Sequence, residues 1–372
     1  MNILILSWRD PDHPNAGGAE QVTLEHARGW VEKGHDVYWF SSVIYGEKKE
    51  KVISGIKIVR IGGQTFGSKI AAFFWYFFGK HPKFDLVIDQ FHGIPYFTPL
   101  YVKSKKLAFI HEVTKDVWKL NTWPKPFNLI PAYVGTFLEP FVFKLFYRNI
   151  PFWTVSESTK NELIQWGIPK KNVFVIHNGT LLPKTKKSLV KETRKTAMFL
   201  GAISEDKGIK DAINVFSEIN RKDEEWQFWI AGKSSPDYKL LIQRMVNEFG
   251  LRDKTTFFGF VSEPKKFELL ASAHILINPS HREGWCLVNI EAASVGTPVL
   301  GYKVSGMKDS VKDGETGILL EKGDYRSLAY SAIKLINNKV EYKRMQDNSV
   351  KWSKNFNWEK ARKESLGLIE SI

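Results

Sequence analysis

Short, almost wholly apolar runs of four to seven residues recur along this chain, and that recurrence constrains the fold more than any other feature of the sequence. Residues 1–7, 36–40, 57–60, 86–89, 107–110, 152–155 and 173–176 read as buried strands, and helical spacing or loops fill the intervals between them. The first interval holds a helix carrying Val22, Leu24, Ala27, Trp30 and Val31, which stops near Gly34 before the next strand. Strand, helix, strand in that order implies a parallel sheet with helices on its faces. From residue 197 the same alternation starts again, with apolar runs at 197–200, 226–232, 255–260, 274–277, 298–302 and 316–320. A chain of 372 residues also exceeds what one hydrophobic core usually supports. The expectation is an α/β protein of two doubly wound parallel-sheet domains facing a cleft, residues 1–183 and 184–354, with the polar, basic stretch 183–188 as linker.

Net charge is +14, of which residues 1–186 carry +9, from 24 Lys and Arg against 15 Asp and Glu. Such an excess reads either as a solvated lysine-rich surface or as attraction to anionic lipid head groups or phosphorylated substrates. Recognition-helix, zinc-spacing and aromatic RNA-binding patterns are missing, so nucleic acid is not expected as a partner. One cysteine, Cys286, excludes an intramolecular disulfide and a cysteine-rich metal site, in keeping with a reducing compartment. The chain opens directly on a strand without the features of a signal peptide, which predicts a cytoplasmic protein. Two segments interrupt the alternation: residues 66–79, dense in Phe, Trp and Tyr, and residues 126–147, apolar but broken by Pro131, Glu139, Pro140 and Lys144. Neither reaches the roughly 20 uninterrupted apolar residues of a spanning helix. They are core helices, or they lie on a membrane with neighbouring lysines near the head groups.

The chemistry concentrates in residues 279–299, which follow one of the buried strands and run into a helix. Glu283 sits in the strand-to-helix turn and Glu291 on the helix. Gly284 opens that helix, whose unpaired N–H groups and positive dipole end favour an anion, a phosphate above all. Two carboxylates beside an anion site point to hydroxyls joined to phosphates, as in a sugar nucleotide. Elsewhere, Gly17-Gly18 in the first loop lets backbone approach a ligand closely. His92 and His111 follow two strands at the edge where ligands of parallel sheets bind. After the strand at 152–155, Ser158 is read as the hydroxyl that caps the next helix.

The order of these pieces resembles the retaining glycosyltransferases of family 4, with their GT-B architecture of two Rossmann-like domains. The resemblance covers nearly the whole chain. Its most specific part is Pro279, Ser280, Glu283, Gly284, Leu287 and Glu291, with further matches at Gly17-Gly18, His111, Ser156 and Ser158, Asn178-Gly179, Lys207-Gly208, Gly314 and Gly317. The resemblance implies that Glu283 holds hydroxyls of the donor sugar and Glu291 those of the ribose. Gly284, Trp285, Cys286 and Leu287 would offer backbone N–H groups, Lys207 a charge to the diphosphate, and His111 a contact near the reacting carbon. It further implies an N-terminal acceptor domain, a C-terminal donor domain, and a last helix, about 355–372, that crosses back to the first domain. The activity implied is hexosyl transfer with retention from a UDP- or GDP-sugar to a glycan or lipid-linked acceptor, without an obligatory metal or other cofactor. Separately, the aromatic run Phe73 to Phe78 and the basic N-terminal half raise the expectation of a protein peripheral to an inner membrane face. Two positions depart from the family pattern. Ala202 stands where an arginine is common, which leaves Arg282, Lys233 or Lys303 to make up the phosphate clamp, and Cys286 stands for a glycine. The departure at Ala202 makes a sugar-nucleotide-binding protein without turnover the alternative reading. A same-fold epimerase should lack the Glu283 and Glu291 spacing.

Overall fold

The computed structural model describes residues 1–64, 66–115, 118, 129–180 and 190–372. The linker expected at 183–188 and the start of the second apolar segment, 126–128, lie outside the described residues. The chain divides into two compact units, Met1–Gly179 with Trp358–Ile372, and Thr180–Asn357.

The first unit is built on eight strands: β1 (Asn2–Leu6), β2 (Asp36–Ser41), β3 (Glu50–Ile53), β4 (Ile56–Arg60), β5 (Leu86–Gln90), β6 (Lys105–Ile110), β7 (Phe152–Thr154) and β8 (Val173–Val175). They lie in the order β3-β4-β2-β1-β5-β6-β7-β8, parallel throughout except for the β3–β4 pair. Sequence reading missed β3, because its residues are largely exposed and give no buried apolar run. Its hairpin turns at Ser54-Gly55, where φ is +50° and +82°, the left-handed pair that matches strand twist in a two-residue loop. β1 is flanked by β2 on one side and β5 on the other. The strand order therefore reverses at β1, and the loops leaving β1 and β5 flank the place where such sheets take ligands.

Beside the sheet, helix Gly18–Glu32 buries Val22, Leu24, Ala27 and Trp30, and the chain's last helix, Trp358–Ser371, packs along it. Ser365 Oγ lies 2.9 Å from Nδ1 of the buried His26 and accepts from Trp30 Nε1 at 3.1 Å. Arg362 pairs with Glu25. One cap differs from expectation: Ser156, not Ser158, caps helix Glu157–Gln165, accepting from Thr159 N at 3.2 Å. Ser156 alone has the extended backbone that aims its hydroxyl at the third amide.

The second unit holds six parallel strands: β9 (Thr196–Leu200), β10 (Gln227–Ala231), β11 (Thr255–Gly259), β12 (Ile275–Asn278), β13 (Val299–Tyr302) and β14 (Gly317–Leu320). Their order, β11-β10-β9-β12-β13-β14, reverses at β9. Helix Ile209–Lys222 covers one face with Ile209, Ala212, Ile213, Phe216 and Ile219 buried. The loops leaving β9 and β12 thus share one edge at the switch, as those of β1 and β5 do in the first unit.

Of the two interrupting segments, the first is helix Phe66–Phe78, with Ser68 and Ala72 buried. The described part of the second is helix Leu129–Val142, continued by a wider turn at Phe143–Tyr147 just after Pro140, whose ring removes one helical hydrogen bond. Both helices leave apolar side chains in solvent, Phe74, Phe77 and Phe78 on the first and Tyr133, Phe137 and Phe141 on the second. No helix among the described residues is long and apolar enough to cross a membrane.

Candidate functional site

In the second unit the loops after β9 and β12 are locked together. His281 N donates to Asp206 O at 2.9 Å, and the His281 ring lies 3.2 Å from Asp211 Oδ2 at the start of helix Ile209–Lys222. Gly208 has φ +72°, and a Cβ there would stand 2.1 Å from Pro279 O, so no other residue fits. Between these contacts Lys207 Nζ meets Glu283 Oε1 at 2.9 Å. Ser280 Oγ donates to the same oxygen at 2.8 Å, and a Cβ on Gly306 would come within 2.3 Å of Glu283 O. A carboxylate and an ammonium, neither fully buried, are thereby held at the switch edge of the sheet.

Behind this pair lies a chain of buried amides. Asn278 Nδ2 donates to Asn289 Oδ1 at 2.7 Å and to Cys286 Sγ at 3.0 Å, and Asn289 Nδ2 donates to Ser310 Oγ at 2.9 Å. These bonds tie the strand end to helix Leu287–Ser294. Cys286 is the N-cap of that helix with φ +67°, a left-handed conformation that accounts for glycine being the easier residue here. Burial holds its thiol well above the usual range, with Glu283 acting the same way. Gly284 and Trp285 are buried, the Trp285 ring meeting Phe356 edge-on at 4.8 Å, and Leu287 is half-buried in the first turn.

Glu291 takes a partner of its own. Lys266 Nζ lies 2.7 Å from Glu291 Oε1 and 2.8 Å from Glu263 Oε1. Burial raises the Glu291 carboxyl above its ordinary value, and Lys266 pulls the other way without cancelling it. Lys266 itself is raised, since its two carboxylates outweigh its burial. Of the cations considered for the place of Ala202, Lys233 is joined to that loop through Ile203 N, which donates to Lys233 O at 2.8 Å. Its ammonium lies 4.6 Å over the Phe260 ring, while Lys303 is 3.9 Å from Asp313.

The remaining residues singled out in the sequence belong to the first unit. Gly17 is the N-cap of helix Gly18–Glu32, and its N–H donates to Glu20 Oε2 at 2.8 Å. His111 follows β6, its ring 4.5 Å from the Phe109 ring and its Nε2 3.4 Å from Gln90 Nε2. Desolvation, with His92 nearby, lowers its pKa to about 3, so the imidazole is neutral near pH 7. His92 Nδ1 stands 4.0 Å from Glu112. Sequence reading missed the groups that fix these loops. Buried Asp10 takes Arg60 through both oxygens, at 2.8 and 2.9 Å, and Ser41 Oγ at 2.7 Å. Buried Asp89, on β5, accepts from Tyr96 N, Thr98 N, Thr98 Oγ1 and Tyr147 OH. An aspartate closing a strand was the available signal, but nothing in the sequence marks it as buried.

Known proteins place this arrangement among relatives. Residues 16–180 match the family model described as Glycosyltransferase Family 4, and residues 183–352 the one described as Glycosyl transferases group 1. An uncharacterized glycosyltransferase of Haemophilus influenzae is 29% identical over 95% of this chain and 97% of its own. Among solved structures, sucrose-phosphate synthase from Thermosynechococcus elongatus aligns over 100% of this chain and 98% of its own at TM-score 0.79 with 18% identity. HepE from Anabaena, solved with UDP and glucose, aligns over the whole of both chains at TM-score 0.77 with 17% identity.

Proposed function

The chain belongs to the family 4 glycosyltransferases and has their GT-B fold, and from that premise we propose that it moves a hexose from a nucleoside diphosphate to an acceptor hydroxyl with retention of configuration. The observation that carries the reading is the Lys207–Glu283 pair braced by Ser280 at the switch edge of the second sheet. In it, Glu283 accepts from the donor sugar's hydroxyls, as an ionised carboxylate suits neighbouring diols. Lys207 exchanges part of its pairing with Glu283 for the diphosphate and offsets the charge that builds on the leaving group. The first-turn amides of helix Leu287–Ser294 add to that anion site. Glu291, held in place by Lys266, serves the ribose. Lys233 supplies the second cation beside Ala202.

A uridine nucleotide is the donor favoured by HepE's UDP and glucose. His111, neutral and at the end of β6, contacts the sugar or acceptor near the reacting carbon. For the acceptor, the exposed aromatic helices of the first unit and the +9 of residues 1–186 favour a lipid-linked glycan at an anionic, cytoplasmic membrane face. The first unit then serves the acceptor and the second the donor.

A panel of UDP- and GDP-sugars tested by thermal shift checks the donor, because a ligand at 100 times its Kd adds about 2.7 kcal/mol to the native state. One nucleotide class should raise Tm by several degrees and release nucleoside diphosphate slowly in water. Absence of any shift across the panel overturns the reading. A shift without release, even with acceptor present, selects the alternative that Ala202 favours, binding without turnover. Proton NMR of the product's anomeric signal decides retention.

A further inference from the structure

A cavity of about 390 Å³ opens in the first unit between helix Phe66–Phe78 and residues 94–101. Phe66, Ile70, Phe73, Ile94, Phe97 and Leu100 give it an apolar lining. Lys69, whose ammonium stands 5.0 Å over the Tyr96 ring, and the Tyr101 ring complete the lining, while the Tyr101 hydroxyl is buried behind it. Its volume and apolar lining fall within the range of small-molecule sites. The far wall is held in place. Asp89 binds Tyr96 N and Thr98 N, and between them Phe97 is fixed at φ +55°, a left-handed conformation that a bulky residue adopts only under constraint. This wall follows β5 at the switch of the sheet, on the same edge as Gly17 and His111.

Charge narrows the occupant. Residues 64–84 and 90–111 contain no Asp or Glu, yet they hold Lys69, Lys80, Lys83, Lys103, Lys105 and Lys106. Phe66, Ile70 and Leu100, each more than half exposed, frame the mouth. An apolar slot with a lysine in its wall and further lysines in the surrounding sequence fits an amphiphile that joins a hydrocarbon chain to an anion. We propose that this cavity seats the hydrocarbon chain of the acceptor's lipid anchor, with the anchor's phosphate ester paired to Lys69. The proposal rests on the reading that the acceptor is lipid-linked. Burial lowers the Lys69 pKa to about 8, and the chain's phosphate would favour the charged form, as Asp89 already does.

Calorimetric titration of the full chain with octyl, decyl and dodecyl phosphate below their micelle concentrations tests it, with inorganic phosphate and dodecylphosphocholine as comparisons. One chain per protein is expected, with affinity rising roughly fourfold per added methylene and no binding of inorganic phosphate. Ile70→Trp, which fills the slot, should weaken dodecyl phosphate at least tenfold. Lys69→Gln should weaken dodecyl phosphate about fivefold or more and leave dodecylphosphocholine unchanged. Both variants should keep the wild-type thermal shift with sugar nucleotide, which shows that they fold. Lack of saturable binding, equal affinity for the two detergents, or an unaffected Ile70→Trp overturns the proposal. If alkyl phosphates bind as expected while no sugar nucleotide does, the donor reading fails and the cavity assignment stands. If transfer to a lipid-free glycan proceeds and alkyl phosphates do not bind, the reverse holds.

Discussion

Lys207 and Glu283 stand 76 positions apart in sequence and 2.9 Å apart in space, and the second unit spends two loops on keeping them so. If Lys207 offsets the leaving diphosphate, Lys207→Ala should lower kcat by about 10²- to 10³-fold, the usual cost of losing one preorganised charge-stabilising group. Steady-state kinetics with the identified donor measure this, and full activity would refute the role. Cys286 invites a second substitution. Its left-handed φ suits Gly, so Cys286→Gly should stay within about 1 kcal/mol of wild type, strain relief offsetting the lost Sγ contact to Asn278. Cys286→Val, with a β-branched side chain at the same φ, should cost about 1–3 kcal/mol. Urea denaturation compares the two. The thiol itself, pushed up by burial, should react slowly with alkylating reagents at neutral pH.

At the scale of elements, the pairing of helix Gly18–Glu32 with Trp358–Ser371 carries a titration. His26 lies in that interface, fully buried, its pKa lowered from 6.5 to about 3 by desolvation, with His111 and Arg362 acting in the same direction. Neutral in the folded state, it takes up a proton readily only when unfolded. Stability is therefore complete above about pH 6.5 and declines as pH falls towards 3, by up to about 1.4 kcal/mol per pH unit for this histidine. Urea midpoints at pH 7.5 and 5.0 should differ in that direction, and His26→Asn should flatten the dependence while lowering stability at pH 7.5. A slope unchanged in the variant would assign the effect elsewhere. The same scale explains the helix Leu129–Val142. Its lone acid, Glu139, turns inward to accept from Thr114 N, Lys115 N and Trp118 Nε1, so the helix is anchored by one carboxylate while its aromatic side chains stay outside.

For the whole molecule, charge and apolar surface point the same way. Large Phe, Tyr and Leu side chains stand exposed on two helices of one unit, and apolar surface of this kind, where contiguous, is a feature of interaction sites. Flotation with vesicles containing anionic phospholipid should retain the full chain at low salt and release part of it as ionic strength rises, because the lysines contribute through a screened interaction. Vesicles of neutral lipid should hold less. No flotation at low salt would leave the aromatic faces without a membrane role.

The alternation of strands and helices, its restart near residue 197 and the motif at residues 279–291 could all be read from the chain, because burial on both faces of a parallel sheet writes itself as short apolar runs. That was enough for two parallel-sheet units and for the family. Hairpin β3, which is exposed, left no such trace. Tertiary structure alone decided which charges meet: Lys207 with Glu283, Lys266 with Glu291, Arg60 with Asp10. A buried aspartate and a solvated one are the same letter, and only the path of the backbone brings distant loops within the 3 Å at which a hydrogen bond forms. The left-handed turn at Cys286 and the walled cavity beside Lys69 belong to that second class, since both are set by packing that no local pattern encodes.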